Sequence, residues 1–476
     1  MKDYITVIGG GLAGCEAAYQ IAKRGIKVKM YEMKPKKFSP AHHNQNLAEI
    51  VCSNSFKSNL HTNACGLLKE ELRKLDSLLI RIADEVAVPA GQALAVDREK
   101  FAQRVTEEIK KMANIEIVCQ EVGKENCQEK AQLEQLTEEG IVIVATGPLT
   151  SSSLSAEIAQ ITGEDKLYFY DAAAPIIEKD SINMNIAFWG NRYEQERAKD
   201  EELEDWNKRL ASQEKNGYIN LPMNEEEYNA FWDALVSAEV VTPHDFEKRE
   251  IFEGCMPIEI MAKRGKDTLR FGPLKPVGFT DLRTGRRPYA VVQLRQDNEE
   301  GNLFNIVGFQ TNLKYGEQQK VFRMIPGLEN ANFVKYGVMH RNTFINSTKL
   351  LEPTYQMKNN SHLYFAGQIT GVEGYVESIS SGLVAALNAI QQWKQEAQND
   401  FKEKEQTTEI IFPKTTMLGA LVNYITTPNE HFQPMNANFG ILPAGEKKIK
   451  DKKLKYTKLA DRALKDLEKM LQNMTI

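Results

Sequence analysis

The spacing of apolar positions changes along the chain, and each change marks an element. Residues 4–32, YITVIGGGLAGCEAAYQIAKRGIKVKMYE, open with a β-branched run that enters three glycines. A helical repeat follows, with Ala17, Ala18, Ile21 and Ala22 on one face, and Gly25 stops it. A second apolar run, Lys27–Tyr31, ends at Glu32. The pattern predicts a βαβ unit. Residues 64–83 carry Leu67, Leu68, Leu72, Leu75, Leu78 and Leu79 near helical spacing and predict one amphipathic helix. DREKFAQRVTEEIKKM (97–112) predicts another, with Asp97 as its N-cap. IEIVC (115–119) and GIVIVATG (140–147) read as strands, and the polar, acidic stretch 120–139 as a surface hairpin. Ile50 and Val51 read as a strand that ends at Cys52, before the turn-forming Ser53, Asn54 and Ser55.

The pattern loosens after Asp180. Residues 192–216 are nearly all charged or polar and read as a solvated excursion. Residues 251–310 return to strands and turns rich in glycine, proline and arginine. SHLYFAGQITGVEGYVESISSGLVAALNAI (361–390) restores the strand–glycine loop–helix order. From about 399 the chain is polar and lysine-rich, ending in the helical KLADRALKDLEKMLQ. No internal repeat is visible.

One motif carries a chemical expectation. Gly9-x-Gly11-x-x-Gly14 lies between the first strand and its helix, and Glu32 ends the second strand. Gly9 permits the tight turn, Gly11 lets backbone approach a pyrophosphate, and Gly14 lets helix and strand pack closely. The helix N-terminus favours an anion, and an acid at Glu32 can bond ribose hydroxyls. NAD, FAD and S-adenosylmethionine can each use such a unit. Two later segments choose among them: Ala145-Thr146-Gly147 and Gly367-Gln368 both follow strands. With the fingerprint (Gly9, Gly10, Gly11, Leu12, Ala13, Gly14) they resemble the three nucleotide-contacting segments of two-dinucleotide-binding-type flavoproteins. Those proteins commonly carry an acid where Gln368 stands; an amide can make the same bond. No second such fingerprint follows, so any pyridine nucleotide docks transiently.

Composition narrows the class. The 476 residues are 42% hydrophobic and 26% charged, ordinary for a globular protein, and net charge −5 argues against a generic polyanion binder. The six cysteines form no CxxC pair and no zinc spacing, so no metal site is expected. No run reaches the length of a membrane span, and MKDYITVIGGG lacks signal-peptide layout. A reducing, cytoplasmic setting is expected.

Several longer segments then converge. GGGLAGCEAA resembles the GidA-like flavoproteins. CSNSFKS, LYFYDAAAPI, FEGCMPIE, MAKRG, LRFGPLKPVG, MHRNTFIN and GQITGVEGYVES resemble one branch of them, the TrmFO family of folate- and FAD-dependent tRNA (uracil-5-)-methyltransferases. The resemblance covers roughly residues 4–445 and weakens at 120–139, at 192–216 and in the tail. It implies formation of 5-methyluridine in the T-loop of tRNA, with 5,10-methylenetetrahydrofolate as carbon donor, reduced FAD as hydride donor and NAD(P)H as reductant. A similar branch acts on large-subunit ribosomal RNA. GidA-like wobble-uridine modification, which needs a protein partner, and a non-catalytic flavin-bound RNA-binding protein are the other readings. No obligatory protein partner is expected.

The implied fold is α/β: a Rossmann-like FAD-binding domain in two segments (1–175 and 330–398), an inserted α+β substrate domain (176–329) and a polar helical tail (399–476). Carbon 5 of uracil becomes nucleophilic once a thiolate adds to carbon 6, and cysteine both attacks and leaves well. The resemblance points to Cys52 and Cys255 for this work, with Cys255 favoured as nucleophile and Cys52 as its partner. Cys15 and Cys119 read as packing. Arg270, Lys275, Arg283, Arg286, Arg287 and Arg295, interleaved with Phe271, Phe279 and Tyr289, form an expected RNA face. Tyr375 is placed to stack on the pterin, and His340 and Arg341 to hold folate or flavin.

Overall fold

Close approach of backbone to backbone decides how the N-terminal unit closes. A side chain at Gly14 would put its Cβ 1.9 Å from the Gly9 carbonyl oxygen, so only glycine lets the first helix lie this near the strand that feeds it. The computed structural model describes residues 2–123, 131–163, 167–192, 205, 217–241, 256–281, 283–398, 409–430, 432–445 and 449–473, without the side chains at 167–172, 339–341 and 398.

The first sheet comprises β1 (Tyr4–Ile8), β2 (Lys27–Glu32), β6 (Ile115–Cys119), β7 (Val142–Val144), β16 (Gln356–Met357) and β17 (Asn360–Phe365). Its order is β16-β17-β7-β1-β2-β6, and all neighbours but β16 and β17 pair parallel. Val7, Val142, Ile143 and Val144 are fully buried, as parallel strands covered on both faces require. Helix α1 (Leu12–Ala22) crosses the long helix Tyr375–Gln398 on one face. Their separation is set by Gly382, where a Cβ would lie 2.2 Å from the Ala13 carbonyl oxygen.

The second sheet comprises β9 (Ile176–Glu178), β10 (Phe188–Gly190), β11 (Tyr218–Met223), β12 (Ala290–Gln296), β13 (Leu303–Ile306) and β14 (Phe333–Lys335). It is antiparallel, in the order β10-β11-β12-β13-β9-β14. Its own core gathers Phe231, Phe304, Phe309 and Phe322. β14 belongs to this sheet, so it closes past the expected boundary at 329. A two-stranded ribbon, β8 (Leu167–Ala172) with β15 (Met339–Phe344), carries the chain between the two sheets in both directions. A small sheet of β3 (Ser55–Ser58), β4 (Ala87–Val88) and β5 (Ala93–Val96) lies beside the first.

Several expectations need correction. Residues 64–83 form two helices, α2 (Ala64–Lys74) and α3 (Leu78–Glu85). Asp76 takes φ 55° and the Ser77 hydroxyl accepts the Ile80 N–H as N-cap, so local polar bonding breaks the leucine repeat. Part of the expected hairpin at 120–139 is a helix, Gln132–Glu139, and 124–130 lie outside the described residues. Ile50 and Val51 form no strand; β3 begins only after the Cys52–Asn54 turn. Asp97 caps α4 (Arg98–Lys111) as expected, accepting the Lys100 N–H at 3.0 Å. The C-terminal helix Lys452–Gln472 buries Leu459, Ala460, Ala463 and Leu467 and lies against α2. No helix among the described residues is long and apolar enough to cross a membrane.

Candidate active site: a dinucleotide cleft and a cysteine loop

The cleft forms where β1 runs into α1. Gly9 takes φ 105°, and a Cβ there would lie 2.6 Å from the Ala145 carbonyl oxygen, so the fingerprint loop rests directly on the second segment. A Cβ on Gly10 would strike Glu32 Oε2 at 2.8 Å. Gly11 has open space around it and caps α1 with no side-chain bond, which leaves the helix's first N–H groups available to an anion. The Glu32 carboxylate accepts the Gly10 N–H at 2.7 Å and the Lys34 N–H at 2.9 Å, which fixes it at the end of β2.

The cleft holds about 1130 Å³ of open space. Gly9–Ala13, Glu32, Ala145–Gly147, Gly367, Gln368 and Tyr375 all line it, so the three expected segments meet there. Gly14 packs behind it. The uncapped helix, the open face at Gly11 and the fixed carboxylate together fit a dinucleotide. The Gln368 amide donates to Glu373, an acid five positions on.

Sequence reasoning missed one wall. Lys34, Ser39, His42 and Glu49 also line the cleft. The Lys34 ammonium donates to the carbonyls of Asn44, at 3.1 Å, and Asn46. His42 Nδ1 lies 2.5 Å from the Ser39 hydroxyl, and burial pushes its imidazole below the usual value, so it is held neutral. The only signal was a polar run rich in histidine and asparagine directly after β2.

Cys52 follows this wall. It is half-buried, in no disulfide, and next to Val51, which lines the cleft. The Tyr375 hydroxyl accepts the N–H groups of Cys52 and Ser53, each at 3.0 Å. Burial, with Cys52 adding to it, pushes the Tyr375 phenol up, so it stays protonated. From the other side, Arg98 donates to the carbonyls of Ile50 and Val51 at 3.4 and 3.1 Å and pairs with Asp297 at 3.0 Å. Lys335 of β14 shares this neighbourhood, its ammonium pushed down by burial and then by Arg98. Asn54, fully buried, donates to the carbonyls of Val96 at 3.0 Å and Gln296 at 2.8 Å, and accepts from Arg295 at 2.8 Å. The cysteine loop is thus pinned between the cleft and the second sheet.

A family model described as glucose inhibited division protein A matches residues 4–397. Curated relatives are similar over nearly the whole chain. Methylenetetrahydrofolate–tRNA-(uracil-5-)-methyltransferase TrmFO of Acetivibrio thermocellus is 57% identical, over 98% of each chain. Its namesake in Halalkalibacterium halodurans is 54% identical, over 99% of each. The chain belongs to the TrmFO family. The solved structure of Aquifex aeolicus GidA, in its form II crystal, shares the fold: TM-score 0.62 at 15% identity, covering 99% of this chain and 75% of that one.

The remaining expected residues of this TrmFO-family chain fall in different settings. Cys255 lies outside the described residues, as do Cys127 and most of 192–216. His340 and Arg341 sit on β15, and their side chains are not described. Arg270 lies 3.5 Å over the Tyr289 ring and pairs with Asp267, and Arg283 pairs with Asp281 at 2.8 Å. Both are engaged by residues close to them in sequence. Lys275 is half-buried, while Arg286 and Arg287 are exposed with no ion pair to a described residue. Two expectations fail: Arg295 is buried against Asn54, and Phe279 is buried beneath Arg192. Of the three interleaved aromatics, Phe271 alone is exposed.

Proposed function

We propose that this chain methylates carbon 5 of a tRNA uridine, with methylenetetrahydrofolate as carbon donor. The full-length likeness to enzymes of that name carries the reading, and the cleft geometry agrees with it. FAD would be held in this cleft, with the N-terminus of α1 offering its N–H groups to the pyrophosphate and Glu32 its carboxylate to a ribose. Reduced FAD, when bound, supplies the hydride that turns a methylene into a methyl group, and NAD(P)H restores it. Tyr375 offers a flat face for the pterin while its hydroxyl holds the cysteine loop.

Cys52 and Cys255 divide the work on the uracil ring. One thiolate adds to carbon 6, the electron pair of the C5=C6 bond shifts to make carbon 5 nucleophilic, and carbon 5 takes the methylene unit. The other cysteine, as a thiolate, removes the carbon 5 proton as the methylene's bond to its carrier nitrogen breaks; once the exocyclic methylene has taken a hydride, the C6–S bond breaks and the ring is restored. Pinning by Tyr375 and Arg98 keeps Cys52 at a fixed distance from the cleft, which a nucleophile or base needs.

The test uses the purified protein, checked for yellow flavin, with labelled methylenetetrahydrofolate and NADPH. A tRNA transcript is expected to take label, with S-adenosylmethionine unable to substitute. Label only in large-subunit ribosomal RNA would move the activity to that substrate. Label in neither, from a flavin-loaded protein, would sink the methyltransferase reading. A covalent adduct with 5-fluorouracil RNA assigns the nucleophile: it is lost on replacing the attacking cysteine and kept on replacing the other.

A further inference from the structure

The start of the C-terminal helix carries charge that the cleft does not explain. Lys450, Lys452, Lys453, Lys455 and Lys458 are all exposed, and none has an ion-pair partner among the described residues. The far half of the same helix behaves differently: Glu468 pairs with Lys74 at 2.6 Å, and Lys469 with Asp466 at 3.8 Å. Residues 451–455 are exposed on every side, so the first turn projects beyond the body. That turn contains no acid; Asp451 precedes it and is spent as N-cap, accepting the Leu454 N–H. Cations here sit at the positive end of the helix dipole, where they repel one another and the helix. The chain as a whole is net negative, so this end opposes its global charge.

The cationic end is also tied to the active site. Tyr456, in the second turn, stacks on Phe439 with ring centroids 4.4 Å apart. Two residues earlier, the Ala437 N–H donates to Glu377 in the first turn of the long helix, at 2.9 Å. Met435 bonds the backbone of Gly371 and of Glu373, both at 2.8 Å, in the loop that leads to Tyr375. A short, bonded length of chain thus fixes the lysines relative to the cleft.

We infer that this projecting lysine cluster is a second RNA-contact surface, which grips backbone phosphates of the tRNA whose uridine enters the cleft. The inference rests on the proposed function. Each ammonium acts as a point charge on phosphate and releases counterions without reading sequence. The cluster therefore sets affinity and salt dependence, and leaves the choice of uridine to the cleft.

The test compares the full chain with K452Q/K453Q/K455Q/K458Q, glutamine being nearly as good a helix former as lysine. tRNA binding is measured from about 50 to 200 mM salt. The variant is expected to bind tRNA at least ~10-fold more weakly at the low end, with a log–log salt slope smaller by ~2 or more. The loss should fall on KM for tRNA and not on KM for folate. Unchanged affinity and slope would overturn the inference. If circular dichroism shows the fourfold variant misfolded, K455Q/K458Q takes its place, with a slope change of about 1–2 expected and no change again overturning the inference. Binding is read without methyl transfer, so failure of this surface and failure of the methyltransferase reading remain distinct.

Discussion

The cysteine loop and the arginine-rich stretch were both singled out by residue type, yet the structure uses them in opposite ways. Around Cys52, polar side chains point to backbone groups of other elements: Tyr375, Arg98 and Asn54 hold a short loop in place from three directions. Along 270–295, three of the charged groups are spent within the protein, on Tyr289, Asp281 and Asn54. A guanidinium in sequence is equally able to meet a phosphate or a buried carbonyl. Only the long-range packing decides, and a residue committed inside is unavailable outside.

The sharpest way to break this comparison is Cys52→Ala. Carbon transfer to tRNA should fall roughly a thousand-fold or more, as loss of a group acting in the transition state does. Flavin absorbance should be kept, because Tyr375 and Arg98 hold the loop through its backbone N–H and carbonyl groups. An equal loss of flavin would mean that the cysteine serves the fold. Next comes Asn54→Ala, which removes three bonds and leaves the buried Arg295 guanidinium short of an acceptor. Chemical denaturation should show a loss of about 3 kcal/mol, from the contact between the small sheet and the second sheet.

Glu71 tests the same contrast on the anionic side. It is buried in α2, accepts the Met417 and Leu418 N–H groups at 2.7 and 2.8 Å, and burial pushes its carboxyl up to about 7 from 4.5. The folded state therefore holds this proton more tightly than the unfolded chain. Its contribution is fully present below about pH 4.5 and is lost as pH rises through about 7. Wild type should lose up to about 3 kcal/mol across that window from this group, and Glu71→Gln should flatten the melting profile there. The smallest effect belongs to the exposed arginines. Replacing Arg286 and Arg287 with glutamine should weaken tRNA binding a few-fold and reduce the salt slope by about 1–2, without altering stability. Arg270→Gln and Arg283→Gln should do the reverse, lowering the melting temperature more than the affinity.

The legible part of the site was the part written locally. Gly9 and Gly14 declare a nucleotide turn because a Cβ at either would strike neighbouring backbone, and Gly11 and Glu32 complete the motif's spacing. The later segments at Ala145 and Gly367 were readable because each glycine follows an apolar strand. The break at Asp76 was hidden beneath an unbroken leucine repeat. The wall of Lys34, Ser39, His42 and Glu49 was hidden because no periodic pattern marks a loop that folds back over a cleft. The burial of Arg295 was invisible for another reason: its acceptor, Asn54, lies more than two hundred positions away.

The strand order β16-β17-β7-β1-β2-β6 also has a consequence for synthesis. β7 borders β17, which belongs to residues 360–365, and α1 packs on a helix that begins at Tyr375. A nascent chain that has released the fingerprint still lacks the neighbour of β7 and one cover of α1. Until the last third of the protein leaves the ribosome, β7 is an open sheet edge exposed to wrong pairing. The whole second sheet must be made in that interval, so nucleotide binding is among the last properties the growing chain acquires.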